Sequence, residues 1–399
     1  MVEGGAAGAR RRLLVLGAGA AQIGLLRAAR ERGLWVIAAD RDPAAPGFVY
    51  ADRRALISAE DEHGIARLAE AEHVDGLVAP GIDWPVLVAA RVAARLGLRH
   101  PISPETALLV TSKVRQRERL EEAGVAQPRW RLTKEAHGLE FPCVVKPPDR
   151  QGQRGLSIVG DESELAPAVE LAIAEARGST ALVEELVEGA ELTVNGFSVG
   201  GRFHALTVTD RVVADAPAFG VALAHVWPAR DGAESAARVA EEAVRALGIT
   251  EGPSYTQVRL GSHGPRVIEV AARLGGGHDA ELCAAVGVAD LLDLAIDAAL
   301  GLPVGERRLR GVPRAGGACV HFLVAREGQL RAVSGVDEAA ASSGVVDVRV
   351  YRPPGHRFGP LRRGSDRAGA VLAVGGTRDE ALARARAAAA LIRFDVAPS

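Results

Sequence analysis

Near the start of the chain, short continuous apolar runs alternate with stretches of helical period. Residues 13–17 (LLVLG) form one run ending in glycine, a helical pattern continues to Arg32, and a second run, LWVIAAD, ends at Asp40. Continuous apolar runs separated by helices predict strands covered on both faces, the signature of a parallel βαβ sheet. The alternation goes on with a short strand near 55–57, a helix over 62–72, a strand over 76–80 and a helix over 85–96. Pro85 suits the first turn of that last helix. A loop and a short helix follow, then an amphipathic helix over 112–123 closed by Gly124, and Gln127-Pro128 marks a boundary.

Beyond the boundary the pattern predicts strands over 143–146, from Leu156, and over 181–187, with a helix over 162–177. Residues 192–199 and 202–209 form a hairpin across Gly200-Gly201, a strong two-residue turn signal. Residues 255–279 read YTQVRLGSHGPRVIEVAARLGGGHD, two β-type runs around a Gly-Ser-His-Gly-Pro cluster, hence a second hairpin. An apolar helical stretch over 280–300 precedes a basic, Gly/Pro-rich linker, GERRLRGVPRAGG. Strands near 318–324, 345–351 and 370–375 and a helix over 378–392 complete the chain, with no low-complexity tract and no long repeat.

The second hairpin carries the most chemistry. With its loop centred on His263, Gln257 and Glu269 stand directly opposite, which places their Cβ atoms about 5 Å apart on one face. Period two adds Tyr255, Arg259, Val267 and Ala271 to that face and sends Val258, Leu260, Ile268 and Val270 to the other. A carboxylate opposite an amide oxygen, with Arg273 just beyond, suits a divalent cation bound to phosphates, because Mg²⁺ takes one or two protein oxygens and the rest from phosphate and water. On this reading Glu269 faces metal-bound phosphate and no protein cation. Gly275-Gly276-Gly277 points to close backbone approach to a ligand. A solvated polar face on an antiparallel pair is the plainer alternative.

Three lysines (Lys113, Lys134, Lys146) stand against 45 arginines, so a surviving lysine marks a place where a compact ammonium is needed. Lys146 ends a strand, and the polar stretch 148–155 that follows can cradle phosphate oxygens with its amides, although it is not a P-loop. Glu184, Glu185 and Glu188 read as a solvated edge, while Glu191 is placed to reach a sugar hydroxyl. Gly17-Ala18-Gly19 with Asp40 resembles a dinucleotide fingerprint, but Gln22 fills the third glycine's slot, so no nicotinamide cofactor is expected.

Length of 399 residues allows two or three domains, and a net charge of −2 gives no argument for a nucleic-acid or membrane partner. Cys143, Cys283 and Cys319 are scattered without metal or CxxC spacing and read as buried residues of a reducing, cytoplasmic protein. Gly17 and Gly19 interrupt the first apolar run, so neither a signal peptide nor a membrane span is expected.

The order of lysine, lysine plus glycine-bearing loop, Glu-Glu hinge, acidic strand pair and arginine resembles the ATP-grasp superfamily over nearly the whole chain. GAGAAQIGLLRAARERGLWVIAADRDPAAPGFVYAD looks like the preceding domain of biotin-carboxylase-like members, and GSDRAGAVLAVGGTRDEALARARAA like their C-terminal lobe. The resemblance implies an α/β fold: a Rossmann-like preATP-grasp parallel sheet (1–111), an ATP-grasp domain of two α+β subdomains (112–303, with 128–190 as the lid) and a C-terminal α+β lobe (304–399).

Carried over by position, Lys113 and Lys146 bind the α- and β-phosphates of ATP. Gln151, Gly152, Gln153, Arg154 and Gly155 close over the triphosphate. Glu184, Glu185, Leu186 and Val187 form the adenine hinge, and Glu191 binds the ribose. Gln257 and Glu269 hold two Mg²⁺ ions, with Mn²⁺ as a substitute, and Arg273 stabilises the phosphoryl and tetrahedral oxyanions. The family's usual asparagine two residues after the second metal acid is Ala271 here. The implied activity is an ADP-forming carboxylate–amine ligase working through an acyl phosphate on small acids and amines, with a homodimer allowed. A bicarbonate-activating carboxylase and a non-catalytic ATP-binding protein are the alternatives; no lysine follows Lys146, so no biotinylated carrier segment lies in cis.

Overall fold

A computed structural model describes residues 10–133, 140–215 and 218–397. The N-terminal strands form a four-stranded parallel sheet in the order Arg53–Ala55, Trp35–Ala39, Arg12–Leu16, Gly76–Val78. Alternation within Arg12–Leu16 divides its side chains between two cores. Leu14 and Leu16 join Ile37, Ala39 and Leu77, whereas Leu13 and Val15 join Val36 and Ala38. Both faces are dry, which is why the run is continuously apolar. The fingerprint positions serve the turn itself: Asp40 accepts from Ala18 N at 2.8 Å, and Gln22 donates to Pro80 O at 2.7 Å.

An eight-stranded sheet carries the rest of the body, in the order Gly264–Ala271, Gly252–Gly261, Ala190–Val199, Arg202–Val213, Ala222–Trp227, Gly317–Leu323, Gly369–Gly375, Val345–Val350. Its strands run across residue 303, so the central domain and the C-terminal lobe share one hydrogen-bonded sheet through Ala222–Trp227 and Gly317–Leu323. A smaller sheet, Trp130–Leu132, Leu182–Glu185, Cys143–Lys146, Ser157–Val159, packs under helix Glu162–Glu175 within the range expected to be the lid and called so below.

The apolar stretch 280–300 is two helices, Asp279–Val286 and Leu291–Ala299. Gly287 ends the first at φ +82°, and Asp290 caps the second through Asp293 N. Helix Ala233–Ala246 and strands Ala222–Trp227, Gly328–Ser334 and Arg393–Ala397 are further elements that the pattern reading left unassigned. All three cysteines are free and buried, and among the described residues no helix is long and apolar enough to cross a membrane.

Lid, body and connecting helix meet at one buried cluster. Helix Lys113–Glu122 lies along the outer edge of the large sheet and satisfies that edge with side chains. Gln116 exchanges two hydrogen bonds with the Val270 backbone (2.9 and 3.0 Å), and Arg117 donates to Val267 O and Ile268 O. The same Arg117 reaches Glu184 of the lid at 2.7 Å, and Lys146 takes the other carboxylate oxygen at 2.7 Å. Glu184 is therefore no solvated edge but a buried acid between two cations. Burial pushes its carboxyl up, but Arg117 and Lys146 more than offset this and hold it at about 2.

Removing the carboxylate leaves two buried cations without a counter-charge, so Glu184→Gln should cost about 3–5 kcal/mol at neutral pH. A depressed folded value means the contribution is full above the unfolded pKa near 4.5 and is lost as pH falls towards about 2. Urea unfolding of both proteins at pH 7 and pH 3 should show the gap narrowing in acid. A cost below about 0.5 kcal/mol at pH 7, the level of ordinary surface changes, would contradict this role.

Candidate active site

A cavity of about 650 Å³ opens between the C-terminal ends of the parallel strands, the lid loop, the second hairpin and the C-terminal lobe. Lys113, Gln151, Gly152, Gln153, Arg154, Gln257, Glu269 and Arg273 all line it. The structure thus brings most of the expected residues to one place.

The hairpin puts Gln257 opposite Glu269, but by a different route from a simple count. Its turn is the two-residue Ser262-His263, with Gly261 paired to Gly264, Arg259 to Arg266 and Val258 to Val267. A β-bulge at Ile268 then shifts the register by one and restores the Gln257–Glu269 pair. Val267 consequently lies in the hydrophobic core beside Val258, not on the polar face. Arg117 holds both carbonyls at the bulge, which fixes where Glu269 points.

Glu269 does face a protein cation, contrary to expectation: Lys113 Nζ stands 2.8 Å from its carboxylate. Lys113 also donates to Arg150 O at 2.6 Å, so one ammonium ties the hairpin to the lid loop. Burial pushes the Glu269 carboxyl up, while Lys113, with Lys146 and Arg273 behind it, outweighs that and holds it below the usual carboxylate range. Arg273 grips Asp83 at 2.6 Å and lies over the Tyr255 ring. Asp83 N in turn donates to Gln151 Oε1 at 2.6 Å. Gln153 adopts φ +65°, flanked by Gly152 at +70°, so the lid loop uses the left-handed backbone that glycine favours.

Other expected residues lie elsewhere. Glu185, Leu186 and Val187 line a separate depression with residues 260–264, where Glu185 accepts from Arg129 and Val187 O accepts from Arg259 at 3.1 Å. Gly155 packs against Pro147 and Glu175. Glu191, expected at a sugar, is paired with two arginines: Arg211 and Arg259 contact its two oxygens at 2.5 and 3.1 Å. The three glycines make room for protein as well as ligand. A Cβ on Gly275 would sit 2.3 Å from the Asp279 carboxylate, and one on Gly277 would sit 2.8 Å from the His225 ring.

That Asp279–His225 pair is a feature the sequence reading passed over. His225 Nδ1 lies 2.6 Å from Asp279 Oδ1, both are buried, and the His225 ring lines the cavity. Burial pushes the Asp279 carboxyl up, but His225 and Asn195 hold it below its ordinary value, so Asp279 is ionised and orients the imidazole.

The donor set fits the protein's share of a Mg²⁺–nucleotide complex. Gln257 uses its amide N–H on Tyr255 Oη at 3.3 Å, which leaves its oxygen as the free end beside the Glu269 carboxylate. Among the described residues no group of three or more His, Cys, Asp or Glu converges to hold an ion unaided, so phosphates and water must supply the remaining ligands.

Residues 139–281 match the ATP-grasp domain model, and residues 321–397 match L-amino acid ligase C-terminal domain 2. The chain is 29% identical to formate-dependent phosphoribosylglycinamide formyltransferase of Burkholderia lata, over 96% of this chain and 95% of that protein. Its fold is similar to that of an L-amino acid ligase from Bacillus licheniformis, with TM-score 0.84 and 22% identity over 98% of this chain and 99% of that one. Phosphoribosylglycinamide synthetase from Anaerococcus prevotii shares the fold too, with TM-score 0.79 and 18% identity over 98% and 100% of the two chains. The chain thus carries an ATP-grasp domain over residues 139–281, followed by an L-amino acid ligase C-terminal domain over residues 321–397.

Proposed function

We propose that the protein is an ATP-dependent ligase that joins the carboxylate of one small molecule to the amine of another through an acyl phosphate. The observation that carries this reading is the single cavity in which Lys113, the lid loop, the Gln257–Glu269 pair, Arg273 and the His225–Asp279 pair converge. A carboxylate becomes reactive only when one oxygen is made a leaving group. Attack of that oxygen on the γ-phosphorus of ATP forms the acyl phosphate and breaks the bond to ADP. Attack of the amine on the acyl carbon then expels phosphate and releases one proton.

Each residue has a part that its surroundings support. Lys113 would neutralise phosphate oxygens in the cavity, while Lys146, buried on Glu184 outside the cavity lining, would act on them from behind. Glu269 and Gln257 would hold Mg²⁺, which when bound screens charge on the phosphates as the phosphoryl group moves. Ala271 offers no side-chain oxygen, so Glu269 and Gln257 would be the hairpin's donors to a metal. Arg273, poised by Asp83, faces the charge that develops on the transferred group. His225, with Nδ1 held by Asp279, has Nε2 left to accept the proton of the attacking amine. Gln151 bridges the lid loop to the turn at Gly81–Asp83, and that closure keeps water from the acyl phosphate.

Phosphate release from ATP should be detected with pairs of amino acids and remain independent of bicarbonate. Strict bicarbonate dependence would assign the carboxylase chemistry instead, and nucleotide binding with no release in any pair would leave a non-catalytic protein. Glu269→Gln should lower turnover by about two orders of magnitude, about 2.7 kcal/mol of barrier, with partial recovery at raised Mg²⁺. Because Lys113 loses its partner, the variant should also lose about 1–3 kcal/mol of stability without nucleotide. Near-normal turnover at ordinary Mg²⁺ would remove the hairpin from the metal site.

A further inference from the structure

Besides Gln151 on the turn at Gly81–Asp83, a second contact carries the lid onto the N-terminal domain. It is made by Arg177, just past the end of helix Glu162–Glu175. The guanidinium pairs with Glu60 at 2.6 Å and lies over the Trp84 ring at 4.0 Å. Both partners belong to the N-terminal domain. Glu60 stands just before helix Glu62–Ala71, and Trp84 opens helix Trp84–Arg95, whose next residues, Pro85, Val86 and Leu87, are buried. The receiving surface is therefore anchored in a close-packed core.

The lid side is fixed as well. The Arg177 backbone N–H donates to the Asp149 carboxylate, at 3.2 and 3.0 Å from its two oxygens, and Arg150 donates to Glu175 O. The end of the helix and the lid loop 148–155 thus form one unit. Glu60, Trp84, Asp149, Gln151 and Arg177 all line the cavity, so this unit is part of its wall. A lid that swings away from the N-terminal domain must break the Arg177 contacts and the Gln151 contacts together.

An exposed ion pair alone would mean little. The side chains of Arg177 and Glu60 are 27% and 43% exposed, a setting in which such pairs contribute almost nothing. The ring of Trp84 changes that. A planar guanidinium that stacks on an indole while pairing with a carboxylate is fixed in direction, and a lysine ammonium has no plane to stack. Trp84 also follows Asp83 directly, whose carboxylate holds Arg273 at 2.6 Å and whose N–H donates to Gln151. Holding Trp84 in place therefore steadies the residue that orients Arg273.

We propose that Arg177 is a positioning residue: a latch that docks on Trp84 and Glu60, holds the lid on the N-terminal domain through protein contacts alone, and through the Trp84 turn keeps Asp83 in place beside Arg273. The latch itself needs no ligase reading. Its value to catalysis rests on that reading, under which it preforms the enclosure that shields the acyl phosphate.

Hydrogen exchange resolved to single amides, on the full chain without nucleotide, tests this, because the Asp83 amide is bonded across the junction to Gln151. Arg177→Leu and Trp84→Leu should each speed exchange at Asp83 about fivefold or more. The double variant should exceed the faster single by no more than about twofold, since both substitutions remove one contact. Trp84→Phe keeps an aromatic face and should stay within about twofold of wild type. Arg91→Leu breaks a comparably exposed pair with Glu62 inside the N-terminal domain and should leave Asp83 unchanged. Wild-type exchange in both leucine variants, effects that multiply in the double variant, or no recovery with phenylalanine would each overturn the latch. Should Trp84→Leu fail to fold, Arg177→Leu decides alone, and exchange at the wild-type rate in that variant overturns the proposal. No nucleotide or substrate enters the measurement, so failure of the ligase reading would show separately, as absence of phosphate release.

Discussion

The buried Arg117–Glu184–Lys146 cluster is the constraint on which the rest of the site depends. Arg117 comes from the connecting helix, Glu184 and Lys146 from the lid sheet, and Arg117 also holds the two carbonyls at the hairpin bulge. One carboxylate thereby fixes the lid relative to the hairpin, and through the bulge it fixes the direction of Glu269. Burying three charges is expensive, so the cluster contributes position more than net stability, and its geometry is tolerable because every charge has a short partner. Moving any member displaces the hairpin bulge or the lid strand that the cluster joins.

The charges around the cavity are already paired with one another. Lys113 sits on Glu269, Arg273 on Asp83, and Gln151 on the Asp83 backbone. On the proposed ligase reading, triphosphate oxygens would take the place of Glu269 at Lys113, and Mg²⁺ the place of Lys113 at Glu269. On that reading nucleotide binding would exchange one set of ion pairs for another, which would limit the desolvation cost.

Much of this was legible in the sequence. Continuous apolar runs gave away the parallel sheet, because a strand buried on both faces has no polar face to show. The Gln257–Glu269 pairing was legible from spacing, although the bulge that produces it was not: the demand that Val258 and Val267 both enter the core is a tertiary one. Glu184 stood in a run of acids and read as solvated, and Arg117 lay in the polar-looking helix KVRQRERLEE, where its burial depends on an edge strand far along the chain. Glu191 had the right address but lies between two arginines brought by neighbouring strands. His225 was missed because strand Ala222–Trp227 was left unassigned, and the C-terminal lobe's share of the cavity because it emerges only from a sheet shared across residue 303.

The acyl phosphate is the central claim, and transfer of isotope tests it most directly. An acid labelled with ¹⁸O in its carboxylate should be given to the wild-type protein with ATP and the amine that supports the fastest phosphate release. If the carboxylate oxygen attacks the γ-phosphorus, mass spectrometry of the products will find one labelled oxygen in inorganic phosphate and none in ADP. Label in a nucleoside monophosphate, or unlabelled phosphate released alongside amide, would contradict the account.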